Sequence, residues 1–323
     1  MALKRGPHVD DVERLRNHAG RRRLIAPEHR RCRSQVRSRR RRRPGYEGES
    51  LSIDVDGLAP VEKTALLTLY ARALDSRCRR PILFDSLADE VVGKLNVDFD
   101  AMRIRASVRC PVALRAKMLD ERVRRFTAEH PEAVVVDLGA GLSDGIARSR
   151  PPVTVDWYNV DLPAVIALRD EVLPPSRQEI SVAARIGDPH WADAIPADRP
   201  TMLVADGLTA FLSEPAITDL FLTATDRFPT GELAFNDYGC IGWASRTAMK
   251  LVPQGTGKAF SNAGFADARH PEKWNPRLTL VEETSLTDAP EVELFPSHLR
   301  LGVRLAAHVP SLARKWRILR YRF

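Results

Sequence analysis

"AVVVDLGAGLSDGIARS", residues 133–149, decides how the chain reads. A run of apolar, mostly β-branched residues reaches Asp137, passes through Gly139-Ala140-Gly141 and opens a helix-like segment. Continuous apolar character suits a strand buried on both faces of a parallel sheet. Glycines let the backbone come close to a ligand and take up conformations closed to residues with a Cβ. Strand–glycine turn–helix units of this kind hold NAD, a phosphate or S-adenosylmethionine (SAM), and the rest of the chain must choose among them.

Strands and helices alternate downstream. "VTVDWYNVDLP" (153–163) reads as a second strand, and "PAVIALRDEVL" (163–173) as a helix with Pro163 suited to its first turn. "ISVAARIGD" (180–188) is a weaker third strand and "PTMLVADGL" (200–208) a fourth. "SEPAITDLFLTATDRF" (213–228) is a helix with Ser213 as N-cap, and "GELAFNDYG" (231–239) a fifth strand. "RLTLVEETSL" (277–286) and "RILRYRF" (317–323) look like two more, joined through "SHLRLGVRLAAHV". The alternation predicts an α/β fold, a doubly wound, mostly parallel, seven-stranded Rossmann-like sheet.

Upstream the pattern is helical. "LAPVEKTALLTLYARALDSR" (58–77) repeats apolar residues at the three-to-four spacing of an amphipathic helix. "RPILFDSLADEVVGKL" (80–95) and "PVALRAKMLDERVRRFTAEH" (111–130) continue it without an intervening strand. Three parts are therefore expected: a tail over 1–57, a helical segment over 58–130 and the sheet domain over 131–323. The glycine- and proline-rich stretch 253–276 is expected to be a lid or substrate loop of that domain.

Charge is unevenly spread. The chain carries +8 overall, yet residues 1–50 hold 16 Lys and Arg against 6 Asp and Glu, and the remainder is nearly neutral. The tail has almost no apolar periodicity and is expected to be a solvated, disordered segment. Clustered arginines also suit nucleic acid, and Arg-rich, pattern-free sequence also results from upstream DNA read as protein. Cys32, Cys78, Cys110 and Cys240 show no C-x-x-C pairing, so no metal site is expected. No apolar run approaches the ~18–20 residues that span a bilayer, and a cytoplasmic location with no membrane contact is expected.

The NAD fingerprint G-x-G-x-x-G fails at Asp144, where a carboxylate would repel a pyrophosphate. No G-K-[ST] follows, so a Walker A loop is absent as well. SAM has no phosphate and carries a sulfonium and an ammonium, which tolerate carboxylates. Asp161 ends the second strand, where it can accept both ribose hydroxyls, and Asp188 after the third is placed to face the adenine edge. Asp137 and Asp206 end the first and fourth strands, near the methionyl ammonium. Together these acids favour SAM over NAD.

"VVVDLGAGLSDGIAR", "VDWYNVDLPAVIALRDEVLP", "GDPHWAD" and "VADGLTAFLSE", in that order, resemble the motifs of the leucine carboxyl methyltransferase family, most of all its bacterial branch of polyketide O-methyltransferases. "SRCRRPILFDSLADEVV" and "LRAKMLDERVRRF" resemble its N-terminal helical segment, so the likeness covers about 58–323. The resemblance implies a SAM-dependent O-methyltransferase with an N-terminal helical cap. It further implies that Arg115 pairs with the SAM carboxylate, and that Gly139, Ala140 and Gly141 line the methionine. Asp161 with Leu162 would take the ribose, Asp188 the adenine, and Asp206-Gly207 the ammonium side. The sequence departs from the family in having "GLSDG" for "GLDTR", Asp206 for a frequent Glu, and Asn159 for an acid.

Alignment of the acceptor oxygen with the methyl group is the main catalytic demand. A carboxylate acceptor is already ionised, whereas a hydroxyl would require a base. His130, His190, His270, His298 and His308 offer no convincing base, and Tyr238 is expected to orient the acceptor. The leading reading is methylation of a carboxylate, or a hydroxyl, on a small polyketide-like metabolite. The alternatives are carboxyl methylation of a protein C-terminus and a non-catalytic homologue whose basic tail binds nucleic acid.

Overall fold

The computed structural model describes residues 53–188, 190–239, 261–262 and 264–323. The arginine-rich tail up to residue 52, and 253–260 and 263 of the expected lid, lie outside the described residues. Strands β1 (Val134–Leu138), β2 (Asp156–Asp161), β3 (Glu179–Ala183), β4 (Thr201–Ala205), β5 (Gly231–Asp237), β6 (Thr279–Ser285) and β7 (Arg317–Arg322) form one sheet. Its order is β3-β2-β1-β4-β5-β7-β6. The first five strands run parallel, and β7 is antiparallel to both β5 and β6.

The burial of each strand follows its composition. β1, β4 and β5 are buried along their whole length, as their continuous apolar runs require. At the edges, β3 and β6 leave alternate or most residues accessible, which is why their sequence signal is weaker. The chain order reverses beside β1, where the connections after β1 and β4 diverge to opposite sides. A crevice beyond the carboxyl ends of the strands forms at such a switch point.

Helix α1 (Thr64–Ser76) and α2 (Ser86–Lys94) pack together through Leu66, Leu69, Tyr70 and Val91. Their core includes Val55, buried ahead of the expected boundary at 58, and Leu142 from the glycine turn. The third helix, α3 (Ala106–Glu129), starts five residues before Pro111, which lies inside it rather than at its start. At the sixth helical residue, Pro111 lies past the unpaired N–H groups of the first turn, so α3 gives up the one intrahelical hydrogen bond that its N–H would have made. Helix α3 also departs from the expected cap: Leu114, Met118 and Val123 join one core with Val135, Met202 and Ala234, so it covers a sheet face.

Behind the glycine turn, α4 (Gly145–Ser149) is a single short helix, followed after β2 by α5 (Pro163–Val172). Helix α6 (Glu214–Arg227) is capped by Ser213, whose hydroxyl accepts from the Ala216 N–H at 3.4 Å. It contributes Ile217, Leu220, Phe221 and Ala224 to the core on the other sheet face. Helix α7 (Ser297–Ala307) joins β6 to β7. No helix among the described residues is long and apolar enough to cross a membrane.

Candidate functional site

Gly139, Ala140 and Gly141 sit at the switch point. The Gly139 N–H donates to the Val160 carbonyl at 2.8 Å, turning the chain sharply off β1. Gly139 and Gly141 take φ of 68° and 53°, a left-handed backbone that glycine adopts without Cβ strain. A Cβ at Gly139 would lie 3.2 Å from Leu208 Cδ1, and one at Gly141 would lie 3.4 Å from Ala65 on α1. The turn is thus walled by the residues that follow β4 and by the first helix.

Three arginines hold the turn from behind, and the sequence did not single them out. Arg72 of α1 donates to the Leu142 carbonyl at 2.8 Å and pairs with Asp85 at 2.9 Å. Arg169 of α5 donates to the Gly141 carbonyl at 3.2 Å and to that of Ser143, while pairing with Glu179 at 2.9 Å. Arg148 of α4 bridges Asp85 and Asp120 and donates to the Ser143 hydroxyl at 3.1 Å. Buried guanidinium groups need such partners, because an unpaired buried charge costs several kcal/mol.

The departures from the family motif find partners in the same region. Asp144 caps α4, its carboxylate accepting from the Ala147 N–H at 3.0 Å. Asn159 accepts from the Trp157 indole N–H and donates to Glu179, both at 3.0 Å. Its buried amide thereby satisfies one donor and one acceptor where a carboxylate would face Glu179.

Asp161 accepts the Gly141 N–H and the Leu162 N–H, each at 2.7 Å, one on each carboxylate oxygen. Burial raises its pKa and the two backbone donors oppose the rise. Asp137 is buried, and no hydrogen bond to its carboxyl exists among the described residues. Burial pushes its pKa up to about 7, against the lowering influence of Arg169 and Arg148. Asp206 pairs with Arg115 Nε at 2.6 Å, and the Arg115 Nη1 donates to the Tyr238 hydroxyl at 3.0 Å. Burial acts against the Arg115 charge, but Asp206 and Tyr238 outweigh it and its pKa stands above the ordinary value.

One cavity of about 990 Å3 collects these groups. Arg115, Asp137, Gly139, Ala140, Gly141, Asp161, Leu162, Asp206, Gly207 and Tyr238 all line it. Asp188 does not: it is exposed beside the third strand, and its carboxylate accepts from the His190 N–H at 3.0 Å. The third strand reaches the cavity instead through Ala184, Arg185 and Ile186. No histidine among the described residues lines the cavity; His190 faces Asp193 at 2.8 Å and His270 faces Glu214 at 3.2 Å.

The residues fit SAM. The turn leaves the close approach that a Cβ would fill, Asp161 keeps lone pairs beside its backbone donors, and Asp137 presents a carboxyl with no protein hydrogen bond. A family model described as leucine carboxyl methyltransferase matches residues 65–225. The chain is 34% identical over 268 residues to the tetracenomycin polyketide synthesis O-methyltransferase TcmP of Streptomyces glaucescens, covering 82% of this chain and 98% of that protein. It is 28% identical over 205 residues to the SAM-dependent methyltransferase dpfgK of Gibberella zeae, covering 58% and 69%. The crystal structure of a protein described as a methyltransferase from Thermobifida fusca superposes with a TM-score of 0.50 at 16% identity, over 78% of this chain and 93% of that one. That last likeness concerns the fold alone. With the glycine turn, the strand-end acids and the sequence match in agreement, the chain belongs to the leucine carboxyl methyltransferase family of SAM-dependent enzymes.

Proposed function

We propose that the protein methylates an oxygen of a small polyketide-like acceptor, and that this oxygen belongs to a carboxylate. The observation that carries the reading is the Asp206–Arg115–Tyr238 chain, which joins the cofactor wall of the cavity to the wall after β5. A cavity near 1,000 Å3 is at the upper end for ligand sites, with room for a cofactor and a second molecule. The name of the Streptomyces glaucescens relative supports a polyketide acceptor.

When bound, SAM supplies a methyl group made electrophilic by its sulfonium. Gly139, Ala140 and Gly141 would line its methionine, Asp161 with Leu162 its ribose, and Asp137 with Asp206-Gly207 its ammonium side. Arg115 would hold the carboxylate end of the cofactor with a donor not used by Asp206. Tyr238, fixed by Arg115, would present its hydroxyl to the acceptor. The chain then acts by orientation and by closing the cavity to water, and such alignment lowers a barrier by several kcal/mol. A carboxylate needs no proton removed at neutral pH, in keeping with acceptor walls that carry no histidine among the described residues.

The test is incubation of the full chain with deuteriomethyl-labelled SAM and a panel of aromatic acids and phenols. Labelled products that alkali hydrolyses back to acids are expected. Alkali-stable products would place the methyl on a hydroxyl and overturn the carboxylate reading.

A further inference from the structure

The charged residues deep in the cavity divide into paired arginines and acids that face the cofactor site. Arg72, Arg115 and Arg148 each have a carboxylate partner. Arg103 and Arg105 line the same cavity, are exposed at its mouth, and have no ion pair or side-chain hydrogen bond among the described residues. Arg185 is likewise unpaired but lies after β3, on the ribose and adenine side. Arg105 is the N-cap of α3, the helix that carries Arg115, and Arg103 lies two residues before it.

Two further features mark this mouth. Arg103 is held in a left-handed backbone with φ of 47°, and so is Trp316 at 62°. A non-glycine residue pays a steric penalty there, and such strain gathers at ligand sites. The cavity lining also includes the apolar Val108, Pro111, Leu286 and Trp316. An anionic mouth-facing group on a flat apolar body would satisfy both parts.

We propose that Arg103 and Arg105 are specificity-determining residues that bind a second anionic group of the acceptor, remote from the oxygen that is methylated. The proposal rests on the methyl-transfer reading of this cavity. Helical rise places Arg105 roughly 15 Å from Arg115 along α3, and Arg115 Nη1 lies 3.0 Å from the Tyr238 hydroxyl that would face the methylated end of the acceptor. Allowing for inward reach of the side chains, the two anionic ends of the acceptor are separated by about three fused rings. The acceptor class is therefore a polycyclic acid with an acidic group at each end. Charge at the mouth also raises the encounter rate of such an anion, an effect that salt screens.

The experiment measures calorimetric binding of anthracene-2,6-dicarboxylate and anthracene-2-carboxylate to the full chain loaded with S-adenosylhomocysteine. The proposal expects the dianion to bind at least tenfold more tightly at low salt, and that preference to fall within twofold in the Arg103→Gln, Arg105→Gln double variant. Unchanged S-adenosylhomocysteine affinity shows that the variant is folded, which is expected because both side chains are exposed. Equal or absent binding of the two acids by the wild type overturns the proposal, as does a preference that survives in the variant. Loading by S-adenosylhomocysteine is read separately, so failure of the cofactor site and failure of the mouth are distinguished.

Discussion

A Cβ on Gly145 would lie 2.8 Å from Cζ2 of Trp157, which fills the space beside the first turn of α4. This is the position at which "GLDTR" would carry its arginine and "GLSDG" does not. The indole of Trp157 is buried and fixed by Asn159, so it has little freedom to retreat. Gly145→Ala is expected to destabilise the protein by about 1–3 kcal/mol through overpacking. Urea unfolding checks it, and Trp157→Phe, which shortens the ring system, should recover part of the loss in the double variant.

Arg115 links Asp206 after β4 to Tyr238 after β5. Tyr238→Phe removes the hydroxyl it donates to while leaving the Asp206 pair in place. Loss of that orienting group should lower kcat/KM for the acceptor about tenfold, in line with ~1–1.5 kcal/mol for one hydrogen bond. The SAM dissociation constant should stay within twofold. Arg115→Gln should weaken both, because Asp206 is left without its partner.

Asp137 gives the account a pH signature. The unfolded chain loses this proton near pH 4, whereas burial in the folded chain holds it up to about 7. Between those values the folded state binds more protons, so this group's contribution makes stability fall as pH rises from about 4 to 7 and level off above it. Asp137→Asn removes the ionisation. Its melting temperature should match the wild type near pH 4, where both states of the wild type are protonated, and exceed it at pH 8. A methionyl ammonium beside Asp137 favours the ionised form, so SAM affinity should rise from pH 6 to 7.5 in the wild type and stay flat in the variant.

Much of this site is visible before any coordinates. The continuous runs of β1, β4 and β5 identify central strands because both of their faces are buried, and the glycine turn and strand-end acids follow from their positions. Other features depend on partners far along the chain. Arg72, Arg148 and Arg169 occupy helices where a lone arginine also reads as solvated, and only the fold brings Arg72 and Arg169 to the carbonyls of the turn and Arg148 to the Ser143 hydroxyl. Pro111 misplaces the start of α3, because a proline favours the first helical turn whereas here the helix already runs for five residues before it. Asp188 lies five residues beyond the end of β3, its carboxylate is taken by the His190 N–H of a local loop, and the cavity wall passes two to four residues earlier.

Calorimetric titration of SAM into the full chain and its Asp161→Ala variant tests the central claim most directly. Asp161 anchors the Gly141 N–H and offers its remaining lone pairs to the ribose, so its loss removes a support and a ligand together. Charged hydrogen bonds of this type contribute about 1.5–3 kcal/mol each. Micromolar binding by the wild type and at least a hundredfold weaker binding by a folded variant is the predicted result. A wild type that is folded and takes up no SAM, or a variant that binds equally well, would contradict the placement of the cofactor in the glycine turn.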